Sequence, residues 1–155
     1  MRVLHLTRDF PPRTNGGISV AVGGLCRALA SAGISVDVLS FDDYRPGKGG
    51  LATDAPSWEE VEEGLRVARV ARHTSLDEAR RLVLAASPDL VHVHQDLLWS
   101  FASELGLPTL LSVHVLQRDQ NRLRGIESTA SSEAQARALD EADAAGALRA
   151  AVGGR

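Results

Sequence analysis

The chain has one cysteine, no basic excess and no apolar run near the ~20 residues that cross a bilayer. Each of these lacks excludes something. A lone Cys26 cannot build a disulfide framework, and it falls among Leu25, Leu29 and several alanines at helical spacing, as a packed thiol does. A reducing, cytoplasmic setting is the expectation. The net charge of −3 and the pI near 5.9 argue against a general nucleic-acid binder, which needs surplus cationic charge to displace counterions. The opening MRVLHLTRDF has too short an apolar run for a signal peptide and no small-residue cleavage site. No transmembrane segment is expected, and no repeat recurs at a fixed period. What is left is 155 residues, 44% apolar and 24% charged, the balance of a globular domain with a real core.

The apolar pattern alternates between two periods. VLHLT (3–7) reads as a strand buried on both faces, and residues 18–33 as a helix closed by Gly33. Gly23 and Gly24 inside that helix each cost about 1 kcal/mol against Ala, which points to close packing on a sheet or ligand. SVDVLSF (35–41) is the second strand. Residues 42–64 read as a surface excursion with a short helical turn at SWEEVEEG, and LRVARVA (65–71) as a strand near a sheet edge. Ser75 and Glu78 form a capping box for a helix over 75–87. DLVHVHQ (89–95) is a strand, 97–106 a helix, and PTLLSVHV (108–115) the fifth strand. After a polar stretch, 131–151 reads as helix with a thin stripe of Ala134, Ala138, Leu139, Ala142, Ala145 and Leu148, and no buried strand is expected beyond it. Strands alternating with helices predict an α/β, Rossmann-like, doubly wound and mostly parallel sheet.

Ligands of such sheets bind beyond the carboxyl ends of the strands. His73, His94 and His114 lie in or beside those ends. In the loop RDFPPRTNGGIS, Gly16 and Gly17 let the backbone approach a ligand, and the next helix offers unpaired N–H groups to a phosphate or another anion. Arg8 and Arg13 can add charge there or lie solvated at the surface. The alternative is a turn that merely needs glycine. No G-x-G-x-x-G or P-loop follows the first strand. His5 and His92, inside strands, read as half-buried and hydrogen-bonded. Residues 92 and 94 share a strand face as a metal pair does, but carboxylate or Cys ligands at convincing spacing are missing, so no metal is expected. His114 closes a strand ahead of a polar loop, which makes it a candidate for chemistry.

Together these segments resemble a known family. Residues 1–40, with the FPP…GG loop and the following helix, are similar to the start of the retaining glycosyltransferases of the GT-B fold, family 4 type. PDLVHVHQ and GLPTLLSVHV are similar to that family's later N-terminal signatures. The resemblance implies one half of a GT-B fold, the acceptor-side domain of an enzyme that transfers a sugar from a nucleotide-sugar donor with retention of configuration. It implies that Gly16 and Gly17 approach the donor diphosphate, that His114 contacts the donor sugar near the reacting carbon as the catalytic group, and that His94, Gln95 and Asp96 line the acceptor side. It implies no cofactor and no metal.

The expected layout is a Rossmann-like core over 1–116, then a polar loop and an Ala-rich helix over 117–155 that ends short of the family's next strand. A second domain carrying the basic phosphate-binding residues and an E-x7-E motif, or a partner polypeptide, then completes the donor site. One alternative is a non-catalytic single-domain module that holds a sugar or a protein. Another is a different user of the two-domain fold, such as a sugar-nucleotide epimerase. An exposed Ala stripe would favour a missing covering domain, and a polar surface there an independent module.

Overall fold

The computed structural model describes residues 1–13, 16–41, 56–70, 75–114, 121, 130–144 and 149–151. His73, Ala145 and Leu148 lie outside the described residues, as do residues 42–55 of the 42–64 excursion. Along the chain run β1 (Arg2–Thr7), α1 (Gly17–Ser31), β2 (Ser35–Ser40), β3 (Glu59–Glu62), β4 (Leu65–Arg69) and α2 (Leu76–Ala86). Then follow β5 (Leu90–Val93), a short 3-10 turn (Asp96–Leu98), α3 (Trp99–Ser103), β6 (Thr109–Val113), α4 (Ala130–Ala144) and β7 (Arg149–Ala151).

The strands form one sheet in the order β3-β4-β2-β1-β5-β6-β7. All pairings are parallel except that of the edge strand β3 with β4. Apart from β3, the order reverses at β1, the doubly wound arrangement whose crevice lies between β1 and β5. The expected Rossmann-like α/β sheet is therefore present, with two more strands than the five read from the sequence.

Both extra strands overturn local readings. Residues 59–62 form β3 and not a helical turn, although EEVE favours helix on propensity. The partner decides: Glu63 and Gly64 turn the chain, Gly64 at φ +74°, and β3 pairs antiparallel with β4 with a register shift between Glu60 and Glu62. Likewise the Ala-rich helix is described over Ala130–Ala144, and Arg149–Ala151 pairs with β6 where only helix was expected. Ser75 does cap α2, but its Oγ accepts from Asp77 N–H at 3.2 Å, two residues on.

Alternation along β1 divides the core. Leu4 and Leu6 join Leu39, Val91, Val93 and Leu111 under α2, α3 and α4. On the opposite face, Val36, Val38, Leu65 and Val67 pack with Phe10 and with Val22 and Cys26 of α1. Burial pushes the Cys26 thiol up to about 12, against the opposing effect of Arg27, so it is an inert packed thiol. Both arginines of LRVAR are engaged. Arg66 makes two 2.8 Å hydrogen bonds to the buried Asp37, and Arg69 reaches the loop after β1.

In α4 the described stripe only partly matches expectation. Ala138 and Ala142, 6% and 0% exposed, are covered by the chain's own core and Leu139 packs at its margin, while Ala134 is exposed. Ser132 and Gln135 are buried beside them.

Candidate functional site

The site is built at the carboxyl ends of β1, β5 and β6. The chain leaves β1 through a loop held at several points. Thr7 Oγ1 donates to Asp9 O at 3.1 Å, and Phe10 is buried in the α1-side core. Arg69, at the carboxyl end of β4, donates to Phe10 O at 3.3 Å and Pro11 O at 2.8 Å. Gly23 of α1 makes room for this loop, since a Cβ there would lie 2.8 Å from Pro11 Cγ. The expected close packing of Gly23 is thus onto the loop. Gly24 faces open space.

Gly16 precedes α1 at φ 153° and ψ −175°, a conformation that essentially only glycine adopts. Among the described residues no side chain caps the helix, and no acidic residue stands in its first turn. Ser19 Oγ donates to Gly16 O at 2.8 Å. Among the described residues, a Cβ at Gly16 or Gly17 would meet nothing within 4 Å. The 15-residue helix therefore begins with no side-chain cap among the described residues, which leaves its first-turn N–H groups and positive dipole end without that partner.

Histidines fill the α1-side face of the central strands. His5 of β1 is in register with His92 of β5, and residues 92 and 94 share that face. His5 Nδ1 lies 2.9 Å from His94 Nε2, His94 Nδ1 lies 3.3 Å from His114 Nε2, and His92 Nε2 lies 2.7 Å from Ser112 Oγ. Burial, then the charge of neighbouring histidines, lowers His5 to about 3, His92 to about 4 and His94 to about 2. His114, nearer the surface, is lowered by burial alone. These rings are neutral at pH 7.

Ring nitrogens of His5, His92 and His94 all lie within 4.8 Å of one another, the one described grouping that a cation could share. The sequence shows only two members of it. The 2.9 Å and 2.7 Å contacts are hydrogen-bond lengths that already engage a nitrogen of each ring.

His94, Gln95, Asp96 and His114 line one cavity of about 130 Å³, with Ile18 of α1 and Ser112. Gly16 and Gly17 are not among its lining residues; they lie two positions and one before Ile18, which is. Gln95 Oε1 accepts from the Arg8 backbone N–H at 3.1 Å, tying the loops after β1 and β5 together. The sequence reading missed Gln135 of α4, which also lines the cavity, and the loop-holding Arg69. Arg69 carried a signal, a basic residue at the carboxyl end of a strand. Gln135 carried none, because α4 reaches the site through tertiary packing, including that against the turn at 96–98.

Fold and site together define a Rossmann-like domain with an uncapped helix start and a polar cavity at the carboxyl ends of its central strands. The family model for the glycosyl transferase 4-like domain matches residues 16–152, and the chain belongs to that family. Among solved structures it is similar to sucrose-phosphate synthase from Thermosynechococcus elongatus, with TM-score 0.60 and 16% identity, over 91% of this chain and 40% of that one. A looser likeness, TM-score 0.43 and 21% identity over 71% of this chain and 32% of that one, joins it to the catalytic domain of starch synthase IV from Arabidopsis thaliana bound to ADP and acarbose. No curated protein matches at a significant level. The chain thus has the fold of the N-terminal half of a GT-B glycosyltransferase, and it spans about 40% of the length of the sucrose-phosphate synthase. Among the described residues no helix is long and apolar enough to cross a membrane.

Proposed function

We propose that this chain is the acceptor-side domain of a retaining glycosyltransferase that moves a hexosyl group from a nucleotide-sugar to a sugar-containing or small-molecule acceptor. The observation that carries the reading is the convergence of His94, Gln95, Asp96 and His114 on one cavity beside the uncapped start of α1. In the reaction, the bond from the anomeric carbon to the diphosphate oxygen breaks and a bond to the acceptor oxygen forms on the same face. The acceptor's proton leaves with the diphosphate. Charge developing on that leaving group is met by backbone N–H groups at Gly16 and Gly17 and by basic side chains, with no metal or organic cofactor. His114 contacts the donor sugar near the reacting carbon, and His94, Gln95 and Asp96 face the acceptor. A second Rossmann-like domain, in the same polypeptide or a partner, supplies the rest of the donor site. The unpaired Cys26 fits a reducing cytoplasm.

The test uses the complete two-domain enzyme. Among the described residues a Cβ at Gly17 meets nothing within 4 Å, so an effect of Gly17→Val in a folded protein is read on the ligand. That variant is expected to weaken donor binding, while His114→Ala lowers turnover more than binding. Folded variants with wild-type turnover would falsify these assignments. The burial of Ala138 and Ala142 within the chain favours a second reading, a self-contained module that holds a sugar or a protein without chemistry. Saturable sugar binding by the 155-residue chain, with no transfer when any second domain is added, is what that reading expects.

A further inference from the structure

We propose that His5 and His94 are positioning residues that fix which nitrogen of His114 carries its proton. The observation is a string of three imidazoles running from the centre of the sheet to its ligand-binding edge, with contacts of 2.9 Å and 3.3 Å. A neutral imidazole has one donor nitrogen and one acceptor nitrogen. His94 uses both, so donating at one contact obliges it to accept at the other. Only two polarities are then self-consistent. In one, all three rings carry the proton on Nδ1; in the other, all three carry it on Nε2. Any mixture sets two protons or two lone pairs face to face.

Burial keeps the string neutral at pH 7, which is the condition the argument needs. His92 does not disturb it. Its ring lies 4.1 Å from that of His94, but its Nε2 is engaged by the Ser112 hydroxyl, which can donate or accept and so imposes no polarity.

The inner end selects the polarity. His5 is fully buried, and its Nε2 has no hydrogen-bond partner among the described residues. With the proton on Nε2, a buried N–H is stranded there; with the proton on Nδ1, only a lone pair is. Among buried backbone groups orphaned N–H donors are rarer than under-used acceptors, and the same asymmetry selects the Nδ1 polarity here. His5 then donates to His94, and His94 donates to His114. His114 keeps its own proton on Nδ1, the nitrogen that His94 does not use. In a sugar-handling site that N–H is a donor toward a substrate oxygen, and the opposite polarity removes it. This last step rests on the reading of His114 as sugar-facing. The shared tautomer does not.

The experiment is long-range proton–nitrogen correlation on the 155-residue chain with 15N-labelled histidine at pH 7.5. The expected result is a protonated Nδ1 and a bare Nε2 on His5, His94 and His114 alike. His5→Leu, which deletes the inner donor, is expected to turn His114 into a tautomer mixture. His5→Asn, whose amide reaches the Nδ1 position, is expected to restore a single form. Unlike tautomers along the wild-type string, a shared proton on Nε2, or an unchanged His114 in His5→Leu, would overturn the proposal. If His5→Leu does not fold, the wild-type and His5→Asn spectra decide. Stoichiometric uptake of added Zn²⁺ with loss of this pattern would also overturn it, since the cluster would then be a metal site. The shared Nδ1 tautomer in a protein whose two-domain form transfers no sugar would support the string and overturn the glycosyl reading.

Discussion

Strands β1, β5 and β6 carry opposite chemistries on their two faces. Toward α2, α3 and α4 they present Leu4, Leu6, Val91, Val93 and Leu111, all buried in one apolar cluster. Toward the α1 side they present His5, His92, His94, Ser112 and His114, linked by side-chain hydrogen bonds across neighbouring strands. Further along the sheet on that same side, β2 and β4 return to Val36, Val38, Leu65 and Val67. The difference teaches how one strand serves both stability and chemistry. A face of apolar side chains is satisfied by any close packing, whereas a face of imidazoles must be paired atom by atom, because each unpaired buried polar group costs free energy.

Acidification should separate the two faces most strongly. His5, His92 and His94 have folded pKa values of about 3, 4 and 2, all below the unfolded value of 6.5, so the unfolded chain binds more protons between those limits. Stability is therefore full above about pH 6.5 and falls as pH drops toward the folded values, with a slope of up to roughly 4 kcal/mol per pH unit for three protons. Urea midpoints measured from pH 7.5 down to 4.5 check this. A flat profile would mean that the histidine face is hydrated, and the contrast would fail.

Leu6→Ala probes the apolar face alone and is expected to cost about 2–5 kcal/mol in denaturant unfolding, with the pH slope unchanged. A smaller effect, about 1–3 kcal/mol, is expected for Gly23→Ala, because the new Cβ would sit 2.8 Å from Pro11 Cγ and push the loop off α1. Shifted amide signals for Arg8 and the Gln95 side chain would mark that displacement. Unmoved signals would mean that the loop yields without disturbing the site. The smallest change belongs to Ser75→Ala, outside both faces, at about 1 kcal/mol for the lost N-cap bond. Its unfolding midpoint should drop equally at pH 7.5 and pH 5.

Legibility in the sequence followed the same division. The apolar strands and the doubly wound order could be read because period and spacing are local properties, as in VLHLT and SVDVLSF. His114 could be singled out because it closes a strand. The pairing of His5 with His94, 89 positions apart, depends on register between β1 and β5, which no local pattern encodes. The two missed strands failed for another reason. EEVE and RAA favour helix by themselves and become strands only because β4 and β6 offer an edge to pair with. Gln135 joined the cavity through helix docking, a tertiary event with no trace in a thin alanine stripe.

The bond between Gln95 Oε1 and the Arg8 amide has a mechanical consequence. It crosses the switch point and rivets together the two loops that border it. Neither lip of the crevice shifts alone without breaking that 3.1 Å link, and the Arg69 bonds to Phe10 and Pro11 brace the same lip from the neighbouring strand. At Arg8, Phe10 and Pro11 the rim is thus already tied, and a ligand bound against those points would lose less of its binding energy in ordering the protein.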